Sequence, residues 1–161
     1  MTLKNSFFLV VLFLFLVSCD KKRVFDEYKT VGQNWHKDSI VSFTFEQKDT
    51  LTKQNLFINI RNNKNYPFNN LFLIVEMEHP SKKTLVDTLE YKMAKPDGTL
   101  LGEGLSDTKE NKLFYKENFV FKNSGQYKVT IQQAVRQSGK IEGIEKLEGI
   151  TEVGFRIEKQ E

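Results

Sequence analysis

The chain has 161 residues, a formal net charge of +3 and a single cysteine, so a disulfide framework within one molecule is excluded. Charged residues make up 28% of the chain and both signs are interleaved, a pattern that argues against a nucleic-acid-binding surface. A chain of this length suffices for one domain that builds its core without disulfides or metals.

The N-terminus has the features of a bacterial lipoprotein export signal. Lys4 supplies positive charge, and residues 7–17 form an uninterrupted run of eleven apolar residues. That run is shorter than the ~20 apolar residues needed to span a bilayer and suits the core of a signal peptide. The sequence Leu16-Val17-Ser18-Cys19 then forms a lipobox. We expect residues 1–18 to be removed and Cys19 to be acylated; an ordinary signal peptide with a chance cysteine is the alternative.

Residues 19–33 combine many charges with few hydrophobic side chains, which predicts a lipidated tether ahead of a domain at 34–161. The basic triplet Lys21-Lys22-Arg23 follows the lipobox closely. Each basic side chain near an anionic lipid surface contributes about 1 kcal/mol, although a solvated linker cluster explains the triplet equally well. Alternatively, Val24-Phe25 and Tyr28 pack on the domain as a short edge segment.

Strand patterns begin after Trp35. Residues 40–46 and 54–61 both alternate between apolar and polar side chains, and the turn-forming residues 48–50 between them predict a hairpin. Residues 71–77, LFLIVEM, form a nearly continuous apolar run. Such a run is typical of a central strand that is buried on both faces.

Further strands are predicted at 84–93, 114–115, 119–121, 127–136 and 151–157. Gly102 and Gly104 indicate a tight bend or a close approach of the backbone. Ser124-Gly125-Gln126-Tyr127 resembles the tyrosine corner of immunoglobulin-like domains. The fold class predicted is all-β: an antiparallel β-sandwich of seven to eight strands, Ig-like or jelly-roll-like in topology.

Residue patterns that would support catalysis or metal binding are sparse. The two histidines, His36 and His79, do not have the spacing of a zinc site. The Asp97-Gly98 turn lacks the spacing of a calcium loop. No nucleophile elbow or phosphate-binding loop is present. We therefore predict no catalytic residue, no metal, no cofactor and no small-molecule substrate.

Aromatic residues and arginine often anchor protein partners when they lie in or beside loops. Trp35, Arg61, Tyr66 and Phe68 occupy such positions and are candidate partner contacts. The alternative is that they close the ends of the sandwich core.

Several motifs resemble the gliding-motility lipoprotein family GldH of Bacteroidetes across essentially the whole chain. Besides the lipobox, they are Trp35-His36-Lys37-Asp38, residues 55–62, residues 66–71, Asp87-Thr88-Leu89, Leu101-Gly102-Glu103-Gly104, residues 124–127, residues 132–136 and residues 153–157. The resemblance implies a cell-envelope lipoprotein needed for gliding, which works alongside the machinery that moves and exports surface adhesins. It implies no catalytic residues.

We accordingly expect a non-enzymatic protein that is anchored to the membrane by lipid and binds other envelope components of the gliding machinery. The resemblance also implies a location: surface-exposed lipoproteins of Bacteroidetes tend to carry acidic residues just after the cysteine, so a basic triplet after a single acidic residue favours the periplasmic side of the outer membrane. The alternative function is a carbohydrate-binding or carbohydrate-processing lipoprotein, for which an exposed platform of aromatic rings beside carboxylates would be the distinguishing feature.

Three segments also match an O-glycosylation acceptor pattern of exported Bacteroidetes proteins, in which Asp precedes Ser or Thr and a hydrophobic residue follows. The acceptors would be Ser39, Thr50 and Thr88. Chance is the alternative, because turn-forming Asp and strand-forming Thr are often adjacent.

Overall fold

The computed structural model describes residues 20–104 and 106–160, and within them the only regular elements are strands. These are β1 (Arg23–Thr30), β2 (Asn34–His36), β3 (Val41–Gln47), β4 (Gln54–Asn62), β5 (Asn70–Glu78), β6 (Thr84–Lys92), β7 (Lys109–Phe119), β8 (Gly125–Gln133), β9 (Lys146–Glu148) and β10 (Ile150–Lys159). The predicted signal peptide and Cys19 lie outside the described residues.

Eight of these strands form two four-stranded sheets, here called sheet I (order β1-β10-β4-β7) and sheet II (order β3-β8-β5-β6). The short strands β2 and β9 pair separately. Numbered along the chain, the eight long strands pair in a nested, antiparallel way: first with last, second with seventh, third with sixth and fourth with fifth. This is the pairing of a jelly roll, a long hairpin wrapped around a core. The predicted antiparallel sandwich is confirmed, and the jelly-roll topology is the one adopted.

The core lies between the two sheets and is rich in aromatic rings. Phe43 and Phe45 of β3 point across to Phe155 of β10, with ring centroids 6.1 and 5.9 Å apart. Phe45 also stacks on Tyr127 of β8 at 5.7 Å. Contacts between strands of different sheets at these distances mean that aromatic packing joins the two layers.

The predicted hairpin of residues 40–46 and 54–61 is wrong. β3 pairs with β8 in sheet II, whereas β4 lies between β10 and β7 in sheet I. The loop 48–53 therefore crosses from one sheet to the other. Alternation shows that each strand buries one face. It does not show whether two such strands pair in one sheet or face each other across the core, because both arrangements give the same pattern.

Burial on both faces belongs to β4 and not to β5. In β5 the outward Phe72 and Ile74 are only half-buried and Glu76 is exposed, although β5 does occupy the predicted central position in its sheet. In β4 the outward Phe57 and Asn59 are 4% and 2% exposed. Long side chains from neighbouring strands cover them, which the sequence of β4 alone does not show.

The structure also differs from the predicted tether at 19–33. Residues 23–30 form β1, which pairs with β10 from Arg23 opposite Glu158 to Thr30 opposite Glu152. Phe25 enters the core, 5.3 Å from the ring of Phe45. The alternative edge segment is the arrangement found, and the domain begins about ten residues earlier than predicted because a single inward ring fixes this strand to the core.

Two local predictions are confirmed. The hydroxyl of Tyr127 donates a hydrogen bond to the carbonyl of Asn123 (2.9 Å), which is the geometry of a tyrosine corner in a sandwich that is not immunoglobulin-like. Gly102 has a φ of +98°, and a Cβ there would lie 2.7 Å from the carbonyl oxygen of Glu110. Both the bend and the close approach therefore require glycine.

Candidate functional site: the outer face of sheet I

Two of the four predicted partner contacts belong to the core. Trp35 is completely buried, and its indole N–H donates to the carbonyl of Ser39 (2.8 Å). Tyr66 is 5% exposed, and its hydroxyl donates to the carbonyl of Asn70 (2.6 Å). Neither ring is available on the surface, so these two candidates are corrected: they close one end of the core.

Phe68 is half-buried and lines an open groove with Asn70, Glu90 and Lys92. The amide of Asn70 donates to the carboxylate of Glu90 (2.9 Å). Phe68 is the one aromatic residue among those lining this groove. The groove thus offers one ring beside one carboxylate and not the platform of several rings that would favour carbohydrate binding.

Arg61, the fourth candidate, lies on the outer face of sheet I, the side of that sheet that points away from the core. Its Nε donates to Glu110 of β7 (3.0 Å) and its Nη1 to Glu152 of β10 (2.7 Å). These acids belong to the strands on either side of β4. The guanidinium is therefore held in one orientation by carboxylates on both sides.

Tyr28 reaches across the whole sheet from its edge strand β1. Its ring lies 4.3 Å from the guanidinium carbon of Arg61, and its hydroxyl donates to Glu110 (2.6 Å) on the opposite edge strand. The ring crosses β10 at Gly154, where a Cβ would lie 2.9 Å from two ring carbons. The missing side chain of Gly154 thus provides the path that Tyr28 occupies.

A second charged cluster surrounds Arg156 on the same face. Its guanidinium binds Asp26 of β1 (2.5 Å), Glu158 of its own strand (2.6 Å) and Asp20. Lys112 of β7 extends the cluster by binding Glu158 (2.7 Å). These pairs link both edge strands of sheet I to β10.

An aromatic pair completes the outer face. The rings of Phe57 and Phe114 are 4.5 Å apart, and Lys112 lies 4.2 Å from the centre of the Phe57 ring. Phe57 is buried beneath these neighbours, whereas Phe114 is 52% exposed. An exposed ring supported by a buried ring is a well-ordered apolar contact point.

The ionisation of this face follows from its contacts. Burial alone would raise the pKa of Glu110, but hydrogen bonds from Tyr28 and Arg61 outweigh it and hold the pKa below its usual range. Burial and the bond to Glu110 raise the pKa of the Tyr28 hydroxyl. Glu110 is therefore ionised and Tyr28 neutral at neutral pH, so the network keeps its hydrogen bonds.

The carboxylates of this face are held by arginine, lysine or tyrosine, and no cluster of His, Cys, Asp or Glu suited to a metal occurs within residues 20–104 and 106–160. The same part of the chain contains no helix long and apolar enough to cross a membrane. A face of paired charges around an exposed ring is suited to binding another protein.

Most of these residues were not identified from the sequence. Tyr28 lay within the predicted tether, and Arg156 within a strand predicted only from its apolar positions. The available signal was Phe57, an aromatic residue at an outward position of an alternating strand, between Asn55 and Asn59. Such a position indicates that something covers the outer face.

The three predicted glycosylation acceptors lie apart from this face. Ser39 is exposed in the loop before β3, Thr50 is half-buried in the loop 48–53, and Thr88 is exposed on the edge strand β6. Asp87, which precedes Thr88, accepts a hydrogen bond from the Tyr115 hydroxyl (2.8 Å).

Among solved structures, the chain is similar to part of a family GH115 4-O-methyl-α-glucuronidase, with 11% identity and a TM-score of 0.44. The match covers 89% of this chain and 18% of the enzyme. The VP2 protein of infectious bursal disease virus has 13% identity and a TM-score of 0.36, over 87% of this chain and 34% of VP2. The chain thus spans about a third or less of either protein, and likenesses this weak do not bear on its function.

Relatives in sequence are much closer. The gliding motility lipoprotein GldH of Flavobacterium johnsoniae is 63% identical over the full length of both chains. A GldH homolog of Christiangramia forsetii is 54% identical over 98% of this chain and 99% of its own length. The family model described as GldH lipoprotein matches residues 23–157, from the start of β1 almost to the end of β10. The chain therefore belongs to the GldH family of gliding motility lipoproteins.

Proposed function

We propose that this gliding motility lipoprotein is a non-enzymatic adaptor. Acyl chains on Cys19 hold it on the periplasmic side of the outer membrane, and the outer face of sheet I binds other envelope components of the gliding machinery. Family membership supports the role in gliding. The observation that supports this choice of surface is the half-exposed ring of Phe114, which packs on buried side chains on the outer face of sheet I, outside the core.

The order of this face favours binding. Arginine and aromatic residues are the side chains that most often dominate interface energies. Here Arg61 is fixed by two carboxylates and Phe114 by the ring of Phe57. Side chains that are already ordered lose little conformational entropy when a partner binds.

The lipid anchor explains how a modest interface suffices. Confinement to one leaflet raises the effective concentration of the domain near other membrane-bound components, which increases avidity without any new contact. One acyl chain gives only marginal membrane binding, so stable anchoring takes more than one lipid.

The interface is tested with two matched variants, Phe114→Ser on the outer face of sheet I and Val86→Ser on that of sheet II. The two side chains are 52% and 56% exposed. We expect Phe114→Ser to lose envelope proteins that co-purify in mild detergent and to reduce colony spreading, while Val86→Ser retains both. Equal cellular abundance of the variants is the control for folding. If Phe114→Ser keeps its partners and its motility, the surface is wrongly assigned.

The anchor is tested with Cys19→Ala. We expect this variant to be lost from the outer membrane and to fail to support gliding. A variant that glides normally from the soluble periplasmic fraction would show that the tether is dispensable.

We also propose that Ser39, Thr50 and Thr88 carry O-linked glycans. Two of the three are exposed, and none lies on the outer face of sheet I. Intact-peptide mass spectrometry of protein from its native envelope should show a glycan mass at these positions. Unmodified peptides at all three would remove the proposal.

A further inference from the structure

One end of the sandwich carries a concentrated positive charge. We call it the anchor-proximal end: residues 20–23, 48–53, 79–83, 120–124 and 159–160. It holds nine basic and two acidic side chains, a balance of +7, whereas the whole chain carries +3. The described residues of the opposite end (31–40, 63–69, 93–104, 106–108 and 134–149) hold six basic and seven acidic side chains.

The fold brings these five segments together. Arg23 at the start of β1 lies opposite Glu158 near the end of β10, and Gln47 at the end of β3 lies opposite Gly125 at the start of β8. The amide of Gln47 donates to Gln54 (3.0 Å), which joins the two sheets at this end. Segments far apart in sequence thus form one surface.

The same end receives the lipid anchor. Asp20 is the chain neighbour of Cys19, and its carboxylate is bound by Arg156 of sheet I. Consecutive Cα atoms are about 3.8 Å apart. An acylated Cys19 therefore leaves only a few ångströms of chain between the lipid and this end of the domain.

Apart from the ion pair of Lys82 with Glu78 (2.8 Å), little in the described part of the fold neutralises this charge. Four exposed lysines have no ion-pair partner among the described residues: Lys48, Lys53, Lys83 and Lys122. One acid, Asp20, is taken by Arg156, and the other, Asp49, accepts the backbone N–H groups of Leu51 and Thr52. Leu51 itself is 87% exposed at the tip of its loop.

We propose that the anchor-proximal end docks on anionic phospholipid headgroups and that Leu51 enters the interfacial region of the bilayer. The proposal rests on acylation of Cys19, and charge complementarity supplies the choice of partner. Each basic side chain close to an anionic surface strengthens binding by about fivefold, and the effect falls off within about 10 Å. An exposed leucine among basic residues adds apolar burial to this attraction.

The test uses the mature protein, residues 19–161, purified from its native envelope and reconstituted in vesicles of phosphatidylcholine alone or with about one third phosphatidylglycerol. Because the Cys19 thiol is consumed by lipid, Leu51→Cys supplies one free thiol for an environment-sensitive fluorophore. Ile141→Cys, at the opposite end, is the matched control, since Ile141 is 88% exposed. We expect a blue-shifted emission only for the label at position 51 and only on anionic vesicles.

Charge is tested by two triple variants in the Leu51→Cys background. Lys53, Lys83 and Lys122 are changed to Gln at the anchor-proximal end, and Lys37, Lys95 and Lys140 at the opposite end; all six are exposed. We expect the first set to shift the docking equilibrium about a hundredfold towards the undocked state, and the second to change it little. The proposal would be overturned if the emission of the label at position 51 indicated an aqueous environment on both kinds of vesicle, or if the two triple variants had equal effects.

Flotation of the same samples separates the two proposals. Protein that floats with neutral vesicles is anchored by its lipid whether or not the domain docks. Failure to float with neutral vesicles refutes acylation at Cys19, and flotation with anionic vesicles alone would then still support docking by charge. Failure to float with either kind of vesicle refutes both acylation and docking.

Discussion

Gly154→Ala tests whether Tyr28 is held by the space that glycine leaves. A Cβ at this position would lie 2.9 Å from two carbons of the Tyr28 ring and 3.1 Å from the Cβ of Asn59. The ring must move, which breaks its hydrogen bond to Glu110 (2.6 Å) and its contact with Arg61 (4.3 Å). A hydrogen bond to a charged group contributes about 1.5–3 kcal/mol and an exposed cation–π contact about 0.5–1 kcal/mol.

Two effects reduce this loss. Alanine is better than glycine inside a strand by about 0.5–1 kcal/mol, and Tyr28 is only half-buried, so solvent replaces part of the lost bond. We expect Gly154→Ala to lower the free energy of unfolding by about 1–2 kcal/mol. The measurement is urea unfolding followed by the fluorescence of Trp35, the single tryptophan of the chain.

Tyr28→Phe provides the control, because it removes the hydroxyl and keeps the ring. In a double-mutant cycle Gly154→Ala should cost less in the Tyr28→Phe background, with a coupling of about 0.5–1 kcal/mol. A Gly154→Ala protein as stable as the wild type, or additive effects in the cycle, would refute the reasoning.

Three further outcomes are expected in the same assay. Gly149→Ala should prevent folding or cost more than 3 kcal/mol, roughly, because its Cβ would lie 2.2 Å from the backbone nitrogen of Tyr66, whereas Gly139→Ala, at a similar positive φ but in open space, should cost about 1–2 kcal/mol. Burial would raise the pKa of Glu110, but hydrogen bonds outweigh it and hold the pKa down. The ionised carboxylate therefore contributes fully to the free energy of unfolding above the unfolded pKa of about 4.3, and this contribution is lost as the pH falls through the lower folded pKa. Glu110→Gln should accordingly lose less stability than the wild type on acidification below about pH 4.5. Tyr127→Phe should cost about 1 kcal/mol, since it removes the hydrogen bond that the hydroxyl donates to the carbonyl of Asn123 and the longer one it accepts from the same residue's N–H; an unchanged midpoint would mean that solvent replaces these bonds.

The order of strands along the chain was largely predictable, because a strand with one buried face alternates with a period of two. The position of Tyr127 after a turn glycine likewise predicted a hydroxyl bonded to upstream backbone, and Gly102 predicted a close approach. Each of these features depends on residues that are close in sequence. Local physical chemistry is sufficient to determine them.

Pairing partners and the outer face were not predictable in this way. β3 and β4 both alternate, yet they face each other across the core, and their sequences contain no signal that separates this arrangement from a hairpin. Arg61 is held by Glu110 and Glu152, 49 and 91 residues away. The Tyr28 side chain can lie across β10 only because Gly154, on that strand, has no side chain. These contacts can be predicted only once the topology is known.

β1 connects the two proposed surfaces. It is the first strand after Cys19, the proposed site of acylation, and it is held in sheet I by its ladder with β10, by Arg156 and by Tyr28. With the anchor-proximal end on the bilayer, β1 points away from the membrane and its eight residues extend about 25 Å. Phe114 and Arg61 then face sideways, parallel to the membrane plane. A partner anchored in the same leaflet would meet this face directly, so the docked orientation and the choice of interface support each other.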